Sequence, residues 1–254
     1  MATTIQSLER GLEILGILAR SGQSLSLNEI AGHFTIDRSS VFRLITTLVK
    51  ARYVRQDPVG KRYSLGYRVL VLAGSFSEQS HIESAVRPVM RRVLESTRQN
   101  THLAVLDGGD VVFIAVEQPR AAITMNATIG GREPAPVTAL GRAFMAFVSP
   151  AEQDAIIASS PLKKYTPATV KSSRELKKIL ADIRERRLAF DNEEYKQGVV
   201  CFAAPILDHR RQVIFSIGIS GPRNLIEPHA EDYGSIVRNA GIEVSGMLGF
   251  PGDH

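Results

Sequence analysis

The run from Ile36 to Lys50, I-D-R-S-S-V-F-R-L-I-T-T-L-V-K, decides how this chain is read. On a helix that turns about 100° per residue, Val41, Phe42, Leu44, Ile45, Leu48 and Val49 share one arc. Ser39, Ser40, Arg43, Thr46, Thr47 and Lys50 share the other. Asp37 can accept the first free amides, and Arg38, Ser39 and Ser40 place a cation and short donors at the positive helix end. A face of hydroxyl and guanidinium suits phosphates and base edges, but it also describes any amphipathic helix with a solvated side, so the flanking segments must decide.

Upstream, Ile5, Leu8, Leu12, Leu15 and Ala19 recur at three- and four-residue steps and predict a first helix that Gly22 ends. Ser26-Leu27-Asn28-Glu29 is a capping box opening a short helix from Leu27 to His33. Two short helices joined by a tight turn make a helix-turn-helix, whose second helix enters the major groove. Downstream, residues 53–56 and 61–65 are β-rich and flank Asp57-Pro58-Val59-Gly60, a turn sequence. That hairpin is a wing, and Lys61 and Arg62 at its tip are expected to reach phosphates and position the protein.

Length and charge agree. With 254 residues and 44% hydrophobic content the chain can bury one or two cores, and it has no unbroken apolar run of membrane-spanning length. The first ten residues lack a signal-peptide pattern, and Cys201 is the single cysteine, so a reducing cytoplasm is expected. Residues 1–74 hold ten Lys and Arg against five acids, which accounts for the whole net charge of +5. The excess positive charge lies where a polyanion would be met.

The runs S-L-E-R-G-L-E-I-L from Ser7, S-L-N-E-I-A from Ser26, D-R-S-S-V-F-R-L-I-T-T-L from Asp37 and Y-S-L-G-Y-R-V-L from Tyr63 resemble the N-terminal domain of the IclR family of transcriptional regulators. The resemblance continues through H-L-A-V-L-D-G-G-D-V-V-F-I from His102, T-A-L-G-R-A-F-M-A from Thr138, D-N-E-E-Y-K-Q-G-V-V-C-F-A-A-P from Asp191, and I-S-G-P ending at Pro222. It implies a winged helix-turn-helix over residues 1–65, a linker helix over 66–83, and a GAF-like effector-binding and oligomerisation domain over 84–254. The apolar linker residues Tyr67, Val69, Leu70, Val71, Leu72 and Phe76 fit a contact between two copies, and the expected assembly is a homodimer or dimer of dimers.

The remainder predicts an α+β domain with a mainly antiparallel sheet. A helix over 84–98 precedes strands at 101–106 and 111–117, and a third strand is expected at 123–129. Helices are expected at 139–148, 151–159, 173–189 and 230–248, with a hairpin joining 198–207 to 212–220. The six histidines show no metal-ligand spacing, so neither a metal nor another cofactor is expected. Cys201 with His102 and Asp191 could be read as a nucleophile set, but no local motif supports catalysis, and an apolar strand around Cys201 fits a buried structural thiol.

The resemblance gives these residues another role, as the lining of a small-molecule pocket. It implies an effector held by the helix start Thr138, Ala139 and Gly141 together with Asp191, Cys201 and Ser220. Met125 is expected to set the size of the pocket. Two positions depart from the family pattern: Gly218 stands where serine is frequent, which implies fewer hydrogen bonds to a small keto-acid, and Arg142 replaces a usual lysine. The expected protein is a cytoplasmic, non-enzymatic regulator. It binds double-stranded operator DNA through Ser26, Arg38, Ser39, Ser40, Arg43, Thr46, Thr47, Lys61 and Arg62 and is controlled by an organic or aromatic acid. Redox control through Cys201 and small-molecule catalysis are the alternatives.

Overall fold

The computed structural model describes residues 4–79, 81–119 and 127–252. They divide into two compact units, residues 1–81 and 82–254.

In the first unit, helix α1 (Gln6–Ser21) ends at Gly22, whose φ of 63° is the left-handed cap that glycine adopts without strain. Helix α2 (Leu27–Ala31) opens with the Ser26–Glu29 capping box. Helix α3 (Arg38–Lys50) opens on Asp37, whose carboxylate accepts the Ser40 amide. Strands β1 (Val54–Gln56) and β2 (Tyr63–Leu65) form an antiparallel wing, and Leu25 bridges to Tyr63 as a third short edge. Ile14, Ile17, Leu18, Ile30, Val41, Ile45, Val54 and Tyr63 make the core. Helix α4 (Arg68–Gln79) follows the wing.

Two periodicity expectations are corrected here. Of the stripe expected for the first helix, Ile5, Leu8 and Leu12 are exposed, while Gly11, Ile14, Ile17 and Leu18 face the core. Both sides of α1 are apolar, so a three-four pattern alone could not choose between them. Phe42 also leaves its expected arc and is 49% exposed, because α3 turns the line of Val41 and Ile45 inward.

In the second unit, α5 (His81–Thr97) leads into β3 (Asn100–Asp107) and β4 (Asp110–Glu117). Next come β5 (Arg132–Pro134), a 3₁₀ turn (Ala135–Val137), and helices α6 (Ala139–Met145), α7 (Pro150–Ser159) and α8 (Ser173–Arg186). Strands β6 (Ala189–Asn192), β7 (Val199–Leu207) and β8 (Val213–Pro222) complete an antiparallel sheet of order β5-β4-β3-β8-β7-β6. The short α9 (Arg223–Ile226) and the long α10 (Ala230–Met247) close the chain. Residues 123–126 of the expected third strand lie outside the described residues. Residues 127–129 are not extended in a ladder, and the edge is formed later by β5.

Side-chain alternation builds two cores on one sheet. Val200, Phe202, Ala204 and Ile206 of β7 face α5 and α10, whereas Cys201 and Ala203 face the side covered by α6, α7 and α8. Helix α6 is buried along its whole length. It lies close to the preceding turn because residue 141 is glycine: a Cβ there would fall 2.2 Å from the Cα and carbonyl oxygen of Ala135. Gly141→Ala should therefore destabilise the protein by at least about 2 kcal/mol in chemical denaturation, since backbone cannot yield as a side-chain tip can. A variant denaturing with the parent would show that α6 can rise off the turn at little cost.

Candidate functional site

The polar groups of α3 hold each other. Asp37 accepts from the Ser40 amide at 2.9 Å and the Ser40 hydroxyl at 2.7 Å, and it also accepts the Ser39 hydroxyl. These bonds keep its carboxyl well below the usual carboxylate range. Arg43 donates to Ser40 Oγ at 3.2 Å, while Thr46 and Thr47 donate back to the carbonyls of Phe42 and Arg43 at 2.7 and 3.0 Å. Arg38, Ser39, Arg43, Thr47 and Lys50 line the exposed side, with Ser40 and Thr46 half-buried.

The wing tip is asymmetric. Lys61 is exposed and holds a left-handed φ of 52° in the turn. Arg62 instead folds back: its fork donates to the Ser24 carbonyl at 3.0 and 2.8 Å and pairs with Glu29 at 2.9 Å. Glu29 also accepts the Ser26 amide at 2.6 Å, and these bonds lower its pKa to about 2, with the Ser26 backbone bond the largest cause. Ser26 therefore caps α2, and Arg62 fastens the wing to that cap.

In the α+β unit, a cavity of about 240 Å³ opens between the sheet and the start of α6. Strand register brings Asp191, Cys201 and Ser220 side by side across β6, β7 and β8. His102 on β3, only 3% exposed, bonds Ser220 Oγ through Nε2 at 2.8 Å. Its Nδ1 is buried without a partner among the described residues. Burial and the Lys196 ammonium lower the His102 pKa to about 4, so the ring is neutral. Asp191 is 2% exposed, and burial raises its carboxyl to about 7 although Oδ1 accepts the Glu194 amide at 2.8 Å. Burial also pushes the Cys201 thiol up, with Asp191 and Glu133 adding to the effect.

Of the expected effector residues, Thr138, Ala139, Asp191, Cys201 and Ser220 line this cavity. Gly141 faces the Ala135 backbone, so a bulkier residue there would probe α6 packing before it probed the cavity. Met125 lies outside the described residues. The sequence did not single out Phe113, Glu133, Tyr195 or Lys196, which also line the wall, as does Leu140 from the expected helix start. Lys196 pairs with Glu133 at 3.0 Å, joining the β6–β7 segment to β5 at the more exposed side. Tyr195 and Lys196 sit inside the D-N-E-E-Y-K-Q-G run, the one sequence signal that pointed toward them. Gly218 leaves room for Leu140, since a Cβ there would lie 2.5 Å from the Phe202 carbonyl oxygen and 3.1 Å from the leucine side chain. Among the described residues, no cluster of three or more His, Cys, Asp or Glu could hold a metal ion, and no helix is long and apolar enough to cross a membrane.

Comparison with known proteins follows the same division. The IclR helix-turn-helix domain matches residues 7–58, and the bacterial transcriptional regulator IclR C-terminal domain matches residues 75–246. The transcriptional repressor IclR of Escherichia coli is 33% identical over 244 residues, covering 95% of this chain and 89% of that repressor. The crystal structure of Thermotoga maritima IclR superposes with a TM-score of 0.71 at 28% identity, covering 97% of this chain and 100% of that one. An IclR homolog from Microbacterium hydrocarbonoxydans, complexed with 4-hydroxybenzoate, shares the fold with a TM-score of 0.79 at 22% identity, over 95% of this chain and 98% of its own. Both domain matches occur in the order in which the two units are built, and the chain belongs to the IclR family of DNA-binding transcriptional regulators.

Proposed function

We propose that this regulator works in the cytoplasm as a homodimer or dimer of dimers, reads operator DNA with α3 and the wing, and changes DNA affinity when a small organic or aromatic acid enters the cavity. One observation carries the effector reading. The cavity wall joins apolar surface from Phe113, Leu140 and Val199 to the buried polar row Asp191, Cys201, Ser220 and His102, with the Lys196 ammonium at the more exposed side. A carboxylate would be received by Lys196 and a hydroxyl or carbonyl by the row. At about 240 Å³ the space lies below the roughly 300 Å³ at which drug-sized sites begin, so the ligand is a small metabolite.

The rival readings have weaker physical support. His102 and Ser220 form a nucleophile-base pair in distance, but among the described residues no acid bonds Nδ1 to orient the ring as a triad needs. A thiol pushed upward by burial is a poor thiolate, which argues against redox control by Cys201.

Dimerisation is supported by the apolar residues Ile5, Leu8 and Leu12 at the start of the chain and Tyr67, Leu70, Val71 and Leu72 at and after the start of α4, which remain exposed in one copy. The double variant Leu8→Glu, Leu12→Glu should sediment as a smaller species and bind an inverted-repeat operator at least tenfold more weakly; unchanged mass and affinity would remove this surface from the assembly.

The effector reading is tested by operator titration with and without 4-hydroxybenzoate or pyruvate. The coupling expected is about 5- to 150-fold in DNA affinity for an acid that prefers one state. Lys196→Met should weaken acid binding by about tenfold, the loss of one charged contact, and leave effector-free operator affinity unchanged. Acid binding unaffected by this change would place the carboxylate elsewhere.

The pH dependence has a definite sign. Asp191 titrates near 7 in the folded chain against an ordinary value of 3.8, so its contribution to stability is full below about 4 and is lost as pH rises to about 7. Asp191→Asn keeps an acceptor for the Glu194 amide and removes the ionisation. The melting-temperature difference, variant minus parent, should grow by on the order of 10 °C between pH 4 and 7 and be constant above. An anionic ligand beside Asp191 and Glu133 should bind the parent more weakly at pH 8 than at pH 6, and the variant should show little of this change. A difference that stays flat across the range would mean that Asp191 is not raised.

A further inference from the structure

The reading side of α3 is more apolar than its sequence suggests. The hydroxyls of Ser39 and Ser40 donate to Asp37, and those of Thr46 and Thr47 donate to carbonyls one turn back. A threonine hydroxyl bonded to the carbonyl four residues earlier has its donor occupied, so the side chain offers the groove only an acceptor and a methyl. Phe42 lies one turn before Thr46 on the same face. It is 49% exposed and stacks on no ring among the described residues, whereas Phe190, which is also exposed, stacks on Phe202 at 4.8 Å. Arg38 and Ser39 precede Phe42 on the exposed side and Arg43 adjoins it, so the ring sits inside the polar reading surface.

In the major groove, the apolar group that distinguishes one base pair from the others is the 5-methyl of thymine. We propose that Phe42, flanked by the Thr46 methyl, reads a thymine methyl in each operator half-site, making this residue a determinant of sequence specificity. Phosphate contacts from Lys61 or Lys50 supply affinity without distinguishing sequence. The phenyl ring discriminates through apolar contact, which a solvated hydroxyl face would not.

The test uses the full chain and duplexes selected by it from random 30-base-pair DNA. Each thymidine is replaced in turn by deoxyuridine, which keeps base pairing and removes only the methyl. The parent should lose about fourfold in affinity at one position per half-site, the equivalent of one buried methyl. Phe42→Ala should bind the dT and dU duplexes equally there, with random-DNA affinity within twofold of the parent, and Phe42→Leu should retain part of the preference. The proposal is overturned if no thymidine in the parent scan is sensitive to methyl removal. It is equally overturned if Phe42→Ala keeps the parent's dU penalty, or if Phe42→Ala and Phe42→Leu both lose selected and random DNA alike, which would assign the ring to the fold or the dimer.

Discussion

The cavity depends on one buried ion pair. Arg142, fully buried in α6, turns its fork onto the Glu194 carboxylate and gives Nε to the Pro136 carbonyl at 2.9 Å. Glu194 also accepts the Val170 amide, and its own amide donates to Asp191. A single guanidinium thus sets α6, the turn before it, and the segment that presents Tyr195 and Lys196. Removing one partner of such a pair costs about 3–5 kcal/mol because it strands a charge out of water. The cavity wall is made of short pieces from distant parts of the chain, and this pair holds two of them in register.

The two units solve different problems with the same economy of polar groups. In the reader, acids at helix starts organise short donors: Asp37 gathers Ser39 and Ser40, and Glu29 gathers Ser26 and Arg62. In the α+β unit the polar row lies on a strand face that would otherwise be core. His102 is kept neutral by a lowered pKa and Cys201 by a raised one, while Asp191 changes charge near pH 7. With Asp191 protonated, this partly unsatisfied row is a place where an incoming polar group gains hydrogen bonds without first displacing an ion.

Much of this was legible because it is local. The capping box, the N-cap at Asp37 and the wing turn each lie within a few residues, and each formed as the pattern required. The burial of α1 was not legible, since Ile5, Leu8 and Leu12 compete with Ile14, Ile17 and Leu18 and only tertiary packing selects a side. Nor was the cavity as a whole. Glu133 and Lys196 meet across 63 residues, and nothing in either neighbourhood announces the other. Gly141 was found for its position at a helix start, whereas its physical reason is the backbone of Ala135. Phe42 read as core because an arc on a wheel has no sharp edge.

Arg62 changes what the positive charge of the first unit means. The ten cations of residues 1–74 overstate the charge available to DNA, because this guanidinium already faces a carboxylate and a carbonyl. On binding DNA, each neutralised phosphate releases about 0.9 counterion. With Arg62 turned inward, the ion release per copy is smaller than the composition implies. The wing angle also rests partly on the Ser24 carbonyl bond, which salt screens less than an exposed ion pair. The geometry of the reading head should therefore persist at ionic strengths that already strip it from DNA.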